Sequence, residues 1–328
     1  MRAQFLNNRT ALRCLEVASH PRTLLPPPDD AGAVALERGT YLFKIDGFAM
    51  SRALYPWCSL YDFGYRGVCA AVSDVIAKGC IPYIAMISIG LPASQRDEVD
   101  SVVQGAVDAA RAFRMWIENI DTNAGDDGWI DVAIVAYCPS TPIPRYARPG
   151  YAVVIADRVG LGATAYISHV LGRPPPPDAA RYACRPDRAL KLLDLAPSLR
   201  FLGVRGSIDI SDTLYEALVQ LLDRDRTGLY IDADLGEVMH VESLALAKEL
   251  GLDPLDVFIS TAEEYIPIFV VDPSYVEDLI SALRRAGLDP QFLGYVTHSA
   301  SITYRGIGIR QVKWNHFTKT IELHSLRR

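Results

Sequence analysis

No Cys-x-x-Cys pair occurs in this chain; its six cysteines, Cys14, Cys58, Cys69, Cys80, Cys138 and Cys184, are scattered. The scatter argues against a structural zinc site and a disulfide framework, and it predicts buried, reduced thiols. Long apolar runs are missing too. Half of the residues are hydrophobic, yet no window nears the ~18 to 20 uninterrupted apolar residues of a membrane-spanning helix, so no membrane association is expected. Asn7, Asn8, Arg9, Arg13 and Glu16 break up the segment from Met1 to His20. That segment lacks the apolar block of a secretory signal, and a cytoplasmic location is expected. Net positive charge is absent as well. At −6 the chain offers no broad basic field for nucleic acid, and phosphate chemistry on such a chain needs local neutralisation by metal. Among its cations, arginine greatly outnumbers lysine.

With 328 residues, the chain suits two domains of about 150 residues each. The proline-rich stretch Pro139, Pro142, Pro144, Pro149 and Gly150 interrupts every periodic pattern. It divides the chain into expected domains at residues 1–145 and 146–328. Four consecutive prolines, Pro174 to Pro177, predict an extended surface loop. Before the boundary, strands are predicted at Tyr41 to Ile45, Tyr83 to Ile89, near Met115 and at Ile130 to Tyr137. Helices are predicted at Asp62 to Lys78, closed by Gly79, and across Val99 to Phe113, where apolar residues recur at three and four. After it come a strand at Ala152 to Ala156, a helix at Gly162 to Leu171, and a helix that starts at Asp272 with Pro273 and stops at Gly287.

Acidic residues fall where packing alone would not choose them. Asp29 and Asp30 follow three prolines, Asp46 is placed at the end of the first strand, and Asp121 at the end of the strand after Met115. Asp74 lies inside an apolar helix, where aspartate competes with the backbone and needs compensation that a metal would supply. The run Ser207, Ile208, Asp209, Ile210, Ser211, Asp212 puts two carboxylates at a strand-to-helix turn. Each has a plainer alternative: a strand-end aspartate is often a turn residue, and Ser211 or Asp212 could cap the next helix. Together they match the way magnesium is held, by few carboxylates plus substrate phosphates.

In order and spacing these motifs resemble the thiamine-monophosphate kinases of the PurM-like (AIR synthase-related) superfamily, from Asp29 almost to the C-terminus. The family's GDDAAV is similar to Pro28 through Val34, and its SDIAAMGAxP to Ser73 through Pro82. Its GGDT resembles Asn119, Ile120, Asp121, Thr122, and its DISDGL resembles Asp209 through Leu214. Its GEDYEL is similar to Ala262, Glu263, Glu264, Tyr265, Ile266, Pro267, and its DHF to Asn315, His316, Phe317. Pro28, Asn119, Ile120, Thr213 and Ala262 replace family glycines, and glycine is what lets backbone approach phosphate closely. These losses put the particular substrate in question more than the metal chemistry.

The resemblance implies a two-domain α+β fold. Its N-terminal domain carries a mixed sheet that pairs in a homodimer and binds ATP near the subunit interface. It implies ATP as co-substrate, Mg2+ as cofactor, and in-line transfer to the phosphate of thiamine monophosphate, a nucleophile that needs no strong base. Asp29, Asp30, Asp46, Asp74, Asp121, Asp209 and Asp212 are the implied metal ligands. Asp30, Asp121, Ser211 and Asp212 face the nucleotide, and Ser211 with Asp121 and Asp212 serves the transfer. Glu263, Tyr265 and Trp314 are candidates for the acceptor pocket, where aromatics can stack on a thiamine ring, with His316 and Phe317 nearby in sequence. Core packing is the plainer reading for Phe317, and an ordinary helix residue for His169. Two alternatives remain: an AIR synthase-related ATP-binding protein with another substrate, and a nucleotide-binding paralogue without catalysis. The reactive cysteine and lysine segment of selenophosphate synthetases, the terminal cysteine of the hydrogenase-maturation member and the GGETAEMP of aminoimidazole ribonucleotide synthetases are not matched here.

Overall fold

The computed structural model describes residues 22–25, 29–223, 225–309, 311–315 and 320–324. They form two compact units. The first takes the chain through Pro142 and takes back Ala180–Pro197; the second holds Ile143–Ala179 and the chain from Ser198 onward. No helix among the described residues is long and apolar enough to cross a membrane.

The first unit runs β1 (Thr23–Leu25), β2 (Gly32–Leu36), β3 (Gly39–Ala49), α1 (Leu60–Ala77), β4 (Ile81–Leu91), α2 (Val99–Ala112), β5 (Trp116–Ala124) and β6 (Trp129–Cys138). Its six strands form one mixed sheet in the order β1-β2-β3-β6-β4-β5. Only β4 and β5 pair in parallel, because α2 provides the crossover that a parallel pair needs. Helix α1 packs on β3, β4 and β6, and nearly all of its residues are buried. Its contact with α2 is backbone to backbone: a Cβ on Gly64 would strike the carbonyl of Val102, and one on Gly105 the carbonyl of Tyr61. Alternation along β3 sends Leu42 inward and leaves Phe43 and Ile45 exposed.

In the second unit the chain makes β7 (Ala152–Ile155), α3 (Leu161–Val170), the start of α4 (Pro177–Cys184), β8 (Val204–Asp209), α5 (Leu214–Asp223) and β9 (Gly228–Ile231). It continues through α6 (Val241–Leu250), α7 (Pro254–Ser260), β10 (Pro267–Val271), α8 (Val276–Arg285), β11 (Gln291–Thr297), β12 (Ile302–Tyr304) and β13 (Ile307–Gly308). A hairpin of β14 (Gln311–Asn315) and β15 (Thr320–His324) follows. Seven strands form the sheet β13-β12-β9-β11-β7-β10-β8. Its core is apolar and mostly aliphatic, from Val153, Ile208 and Leu218 to Ile268, with Phe258 among them. The two-domain α+β architecture expected from the resemblance is present.

Three expectations are corrected. Four cysteines are not free thiols: Cys58 is bonded to Cys184, and Cys80 to Cys138. Antiparallel pairing of β4 with β6 sets Pro82 against Ala136 and Ile81 against Tyr137, so the next residues outward, Cys80 and Cys138, come within 4.3 Å at Cα. Cys69 is buried and free, with its thiol pushed well up by burial, while Cys14 lies outside the described residues. Asp46 and Asp121 do not end their strands. β3 continues to Ala49 and β5 to Ala124, because pairing with β6 and β4 carries both strands past the acidic residue.

Candidate functional site

In the first unit the candidate carboxylates are organised by two lysines. Asp29 and Asp30 occupy the bend before β2, with the Asp30 N–H donating to Asp29 Oδ1 at 2.8 Å. Lys78 caps the C-terminal end of α1, is fully buried, and places its ammonium 2.9 Å from Asp29 Oδ1 and 2.7 Å from Asp30 Oδ2. Lys44 and Asp46 lie two apart on β3, on the face toward α1 with Leu42, and the Lys44 ammonium is 3.2 Å from Asp46 and 2.5 Å from Asp74. The compensation that Asp74 needs inside its helix is therefore supplied by Lys44. Asp131 stands on β6 opposite Gly47; burial, and then the charge of Asp46, pushes its carboxyl pKa up. Asp121 is exposed on β5, opposite Ser88 of β4, and accepts from Asn123 Nδ2 at 2.9 Å.

In the second unit β8 ends at the buried Asp209, and Ile210, Ser211 and Asp212 turn the chain toward α5. The cap of α5 is built one residue later. Thr213 Oγ1 accepts from the Glu216 N–H at 3.2 Å and donates to Glu216 Oε2 at 3.0 Å, so α5 does not require Ser211 or Asp212 as its cap. The segment after Thr261 crosses this turn: Glu263 N–H donates to the Ser211 carbonyl and Tyr265 N–H to that of Ile210, both at 2.9 Å. Holding that register puts Glu263 at φ 57° and Tyr265 at φ 45°, left-handed conformations that cost a residue with a side chain about 1–3 kcal/mol each. Tyr265 is buried. Glu264, fully buried, accepts from Gly160 N–H at 2.8 Å, Gly162 N–H at 3.0 Å and Thr261 Oγ1 at 2.5 Å. It thereby satisfies the N-terminus of α3. Gly162 is required there, since any Cβ would strike the Ala262 carbonyl. Tyr166, on α3, has its phenol pKa raised by burial and by the neighbouring charge of Glu263.

Of the candidate residues, Asp29 with Asp30 and Asp46 with Asp74 are thus brought together as lysine-bridged pairs, and Asp209, Ser211 and Asp212 share one turn with Glu263 and Tyr265. Trp314 lies on β14 opposite Ile321; His316, Phe317 and Pro28 lie outside the described residues. Sequence reasoning missed Lys44, Lys78, Asp131, Tyr166 and the Thr213–Glu216 cap. Lysine's scarcity was the available signal: the chain has six lysines against 27 arginines. Among the described residues, the one group of three metal-type donors within 4.8 Å of each other is Asp178, His240 and Glu242. Two of them serve as helix caps, with Glu242 accepting from the N–H groups of Asp178 and Ala179 and His240 Nδ1 from that of Glu242, and the Asp178 carboxylate lies 3.7 Å from His240 Nε2.

Comparison with known proteins places this geometry in context. The family model for the AIR synthase related protein N-terminal domain matches residues 28–138, and that for its C-terminal domain matches residues 148–306. The thiamine-monophosphate kinase of Pyrococcus abyssi is 23% identical over 304 residues, covering 90% of this chain and 92% of the relative. That of Pyrobaculum calidifontis is 29% identical over 229 residues, covering 70% and 73%. Among solved structures, tt0281 from Thermus thermophilus superposes with a TM-score of 0.82 at 29% identity, over 92% of this chain and 98% of the other. AaThiL complexed with AMPPCP and TMP superposes at 0.79 with 18% identity, over 94% and 97%.

Proposed function

We infer, from the premise that this chain belongs to the AIR synthase related family, that it is an ATP-dependent phosphotransferase that converts thiamine monophosphate to thiamine diphosphate. The curated relatives that support the acceptor are thiamine-monophosphate kinases aligned over most of their length, and the fold is shared with a structure that holds AMPPCP and TMP. One observation in this chain carries the reading. The Asp209–Ser211–Asp212 turn is held from the backbone by Glu263 and Tyr265, while the cap of α5 is assigned to Thr213 and Glu216. Ser211 contacts the transferring phosphoryl group, and Glu263 serves the acceptor, with Trp314 a further candidate by its place in the sequence. The acceptor phosphate is already ionised near neutral pH, so positioning and charge neutralisation, not base strength, set the rate.

A bound magnesium ion would supply charge neutralisation for the phosphate groups. Within the second unit, Asp209 and Asp212 would hold it as hard oxygen donors; within the first, the exposed Asp121 is a separate candidate donor. Asp29, Asp30, Asp46 and Asp74 do not fit, because their carboxylates are already bridged by ammonium groups. The chain acts as a homodimer joined through the outward face of the first unit's sheet, where the rows Phe43–Val135–Ile84–Trp116 and Ile45–Ala133–Met86 run side by side. A cytoplasmic setting goes with this reading, and its two disulfides then belong to the rarer intracellular class.

The test is turnover of the purified full chain with magnesium-ATP and thiamine monophosphate, with Asp212→Ala as control. Equal amounts of ADP and thiamine diphosphate, lost in the control, are expected. Absence of both products overturns the kinase reading; ATP binding that survives this moves the function to another acceptor or to a binding role, the alternative that Asn119 and Ile120 in place of family glycines favour.

A further inference from the structure

We propose that Lys44 and Lys78 are built-in counter-cations that take the place of divalent metal on the carboxylates of the first unit. Asp29, Asp30, Asp46 and Asp74 then position the chain without ligating magnesium. The proposal rests on the functional reading only for the nucleotide's identity, since the metal count is independent of any acceptor.

Four observations converge. Each ammonium bridges two carboxylates, Lys78 between Asp29 and Asp30 and Lys44 between Asp46 and Asp74, at 2.5 to 3.2 Å. A magnesium ion on either pair would need oxygens at about 2.0–2.1 Å and would meet a like charge already held by the same carboxylates. Burial makes the arrangement permanent: Lys78 has no exposed surface, and an ammonium leaving this position would strand buried carboxylates. Residue choice points the same way. In a chain with six lysines and 27 arginines, two of the six fall here, and ammonium is the compact point charge of the two cations, whereas guanidinium is a planar fork. Finally, among the described residues, no three of these carboxylates converge to ligand distance of one another.

Manganese binding, counted by electron paramagnetic resonance on the full chain with and without AMPPCP, tests this. The wild type, Asp30→Asn and Asp74→Asn should bind the same number of Mn2+ ions. Lys78→Met should gain one ion, with a melting temperature that rises with millimolar Mg2+ while that of the wild type does not respond through this cluster. Should Lys78→Met fail to fold, Lys44→Ser makes the same test at the partly accessible Asp46–Asp74 pair. Loss of a bound Mn2+ from Asp30→Asn or Asp74→Asn relative to wild type would overturn the proposal, as would a Lys44→Ser protein that folds and gains none. A failed turnover assay with an unchanged Mn2+ count would sink the kinase reading and leave this one standing.

Discussion

Glu264 carries three hydrogen bonds on one buried carboxylate, from two backbone N–H groups at the start of α3 and one hydroxyl. Its charge also sits at the positive end of that helix. Replacing it by alanine removes the acceptor and leaves buried donors without it, at about 1–3 kcal/mol each. Glu264→Ala should therefore lose about 3–5 kcal/mol in urea unfolding, and Glu264→Gln, which keeps an acceptor oxygen, distinctly less. Equal losses in the two variants would mean that shape, not the acceptor and its charge, is what the site uses. This residue also shows the limit of reading the sequence. The motif around Glu264 was visible, and so were the aspartates, but their partners were not. Lys78 meets Asp29 and Asp30 across a long stretch of chain, and only the packing of α1 on the sheet decides that. A scarce lysine marks the place without naming its partner.

At the scale of elements, periodicity located α1 and α2 well because their apolar spacing is local information. A strand's length is set by its neighbours in the sheet, so β3 and β5 run past the acidic residues at which the sequence pattern predicts them to end. Helix α1 starts at a capping box in which Ser59 accepts from the Asp62 N–H, and the Asp62 carboxylate accepts from the Ser59 N–H and hydroxyl. Arg185 adds an ion pair to the same carboxylate at 2.5 Å. Burial alone would raise the pKa of Asp62, but the bonds from Ser59 and the guanidinium of Arg185 outweigh it and the net shift is downward. A folded-state pKa below the unfolded value of about 3.9 means that the stabilisation is complete above that value and lost as pH falls through the folded one. Melting temperature against pH should therefore drop more steeply on the acid side in the wild type than in Asp62→Asn. Parallel acid limbs would show that the carboxylate contributes nothing through its charge.

The whole molecule depends on pairings that no local reading reaches. The two disulfides join cysteines 126 and 58 positions apart; in the chain-entropy limit each closes a loop worth about 4–5 kcal/mol against the unfolded state. Reduction should lower the melting temperature of the wild type by several degrees, and a Cys80→Ala, Cys138→Ala chain should show part of that loss without reductant. The outward face of the first sheet is the other global feature. Ile45 is 68% exposed and Trp116 66%, with Phe43, Tyr83, Met86 and Tyr137 also open. Half of the alternation on these strands is therefore apolar toward solvent, where an uncovered sheet face would carry polar residues. A second copy of the same face is self-complementary under a two-fold axis and buries both at once. Ile45→Arg places a charge at the β3 end of the Ile45–Ala133–Met86 row, where the proposed pairing would have to bury it. Light scattering should then give the mass of one chain where the wild type gives two. If the variant keeps the wild-type mass at micromolar concentration, the copies meet elsewhere, and the apolar rows on this sheet need another occupant.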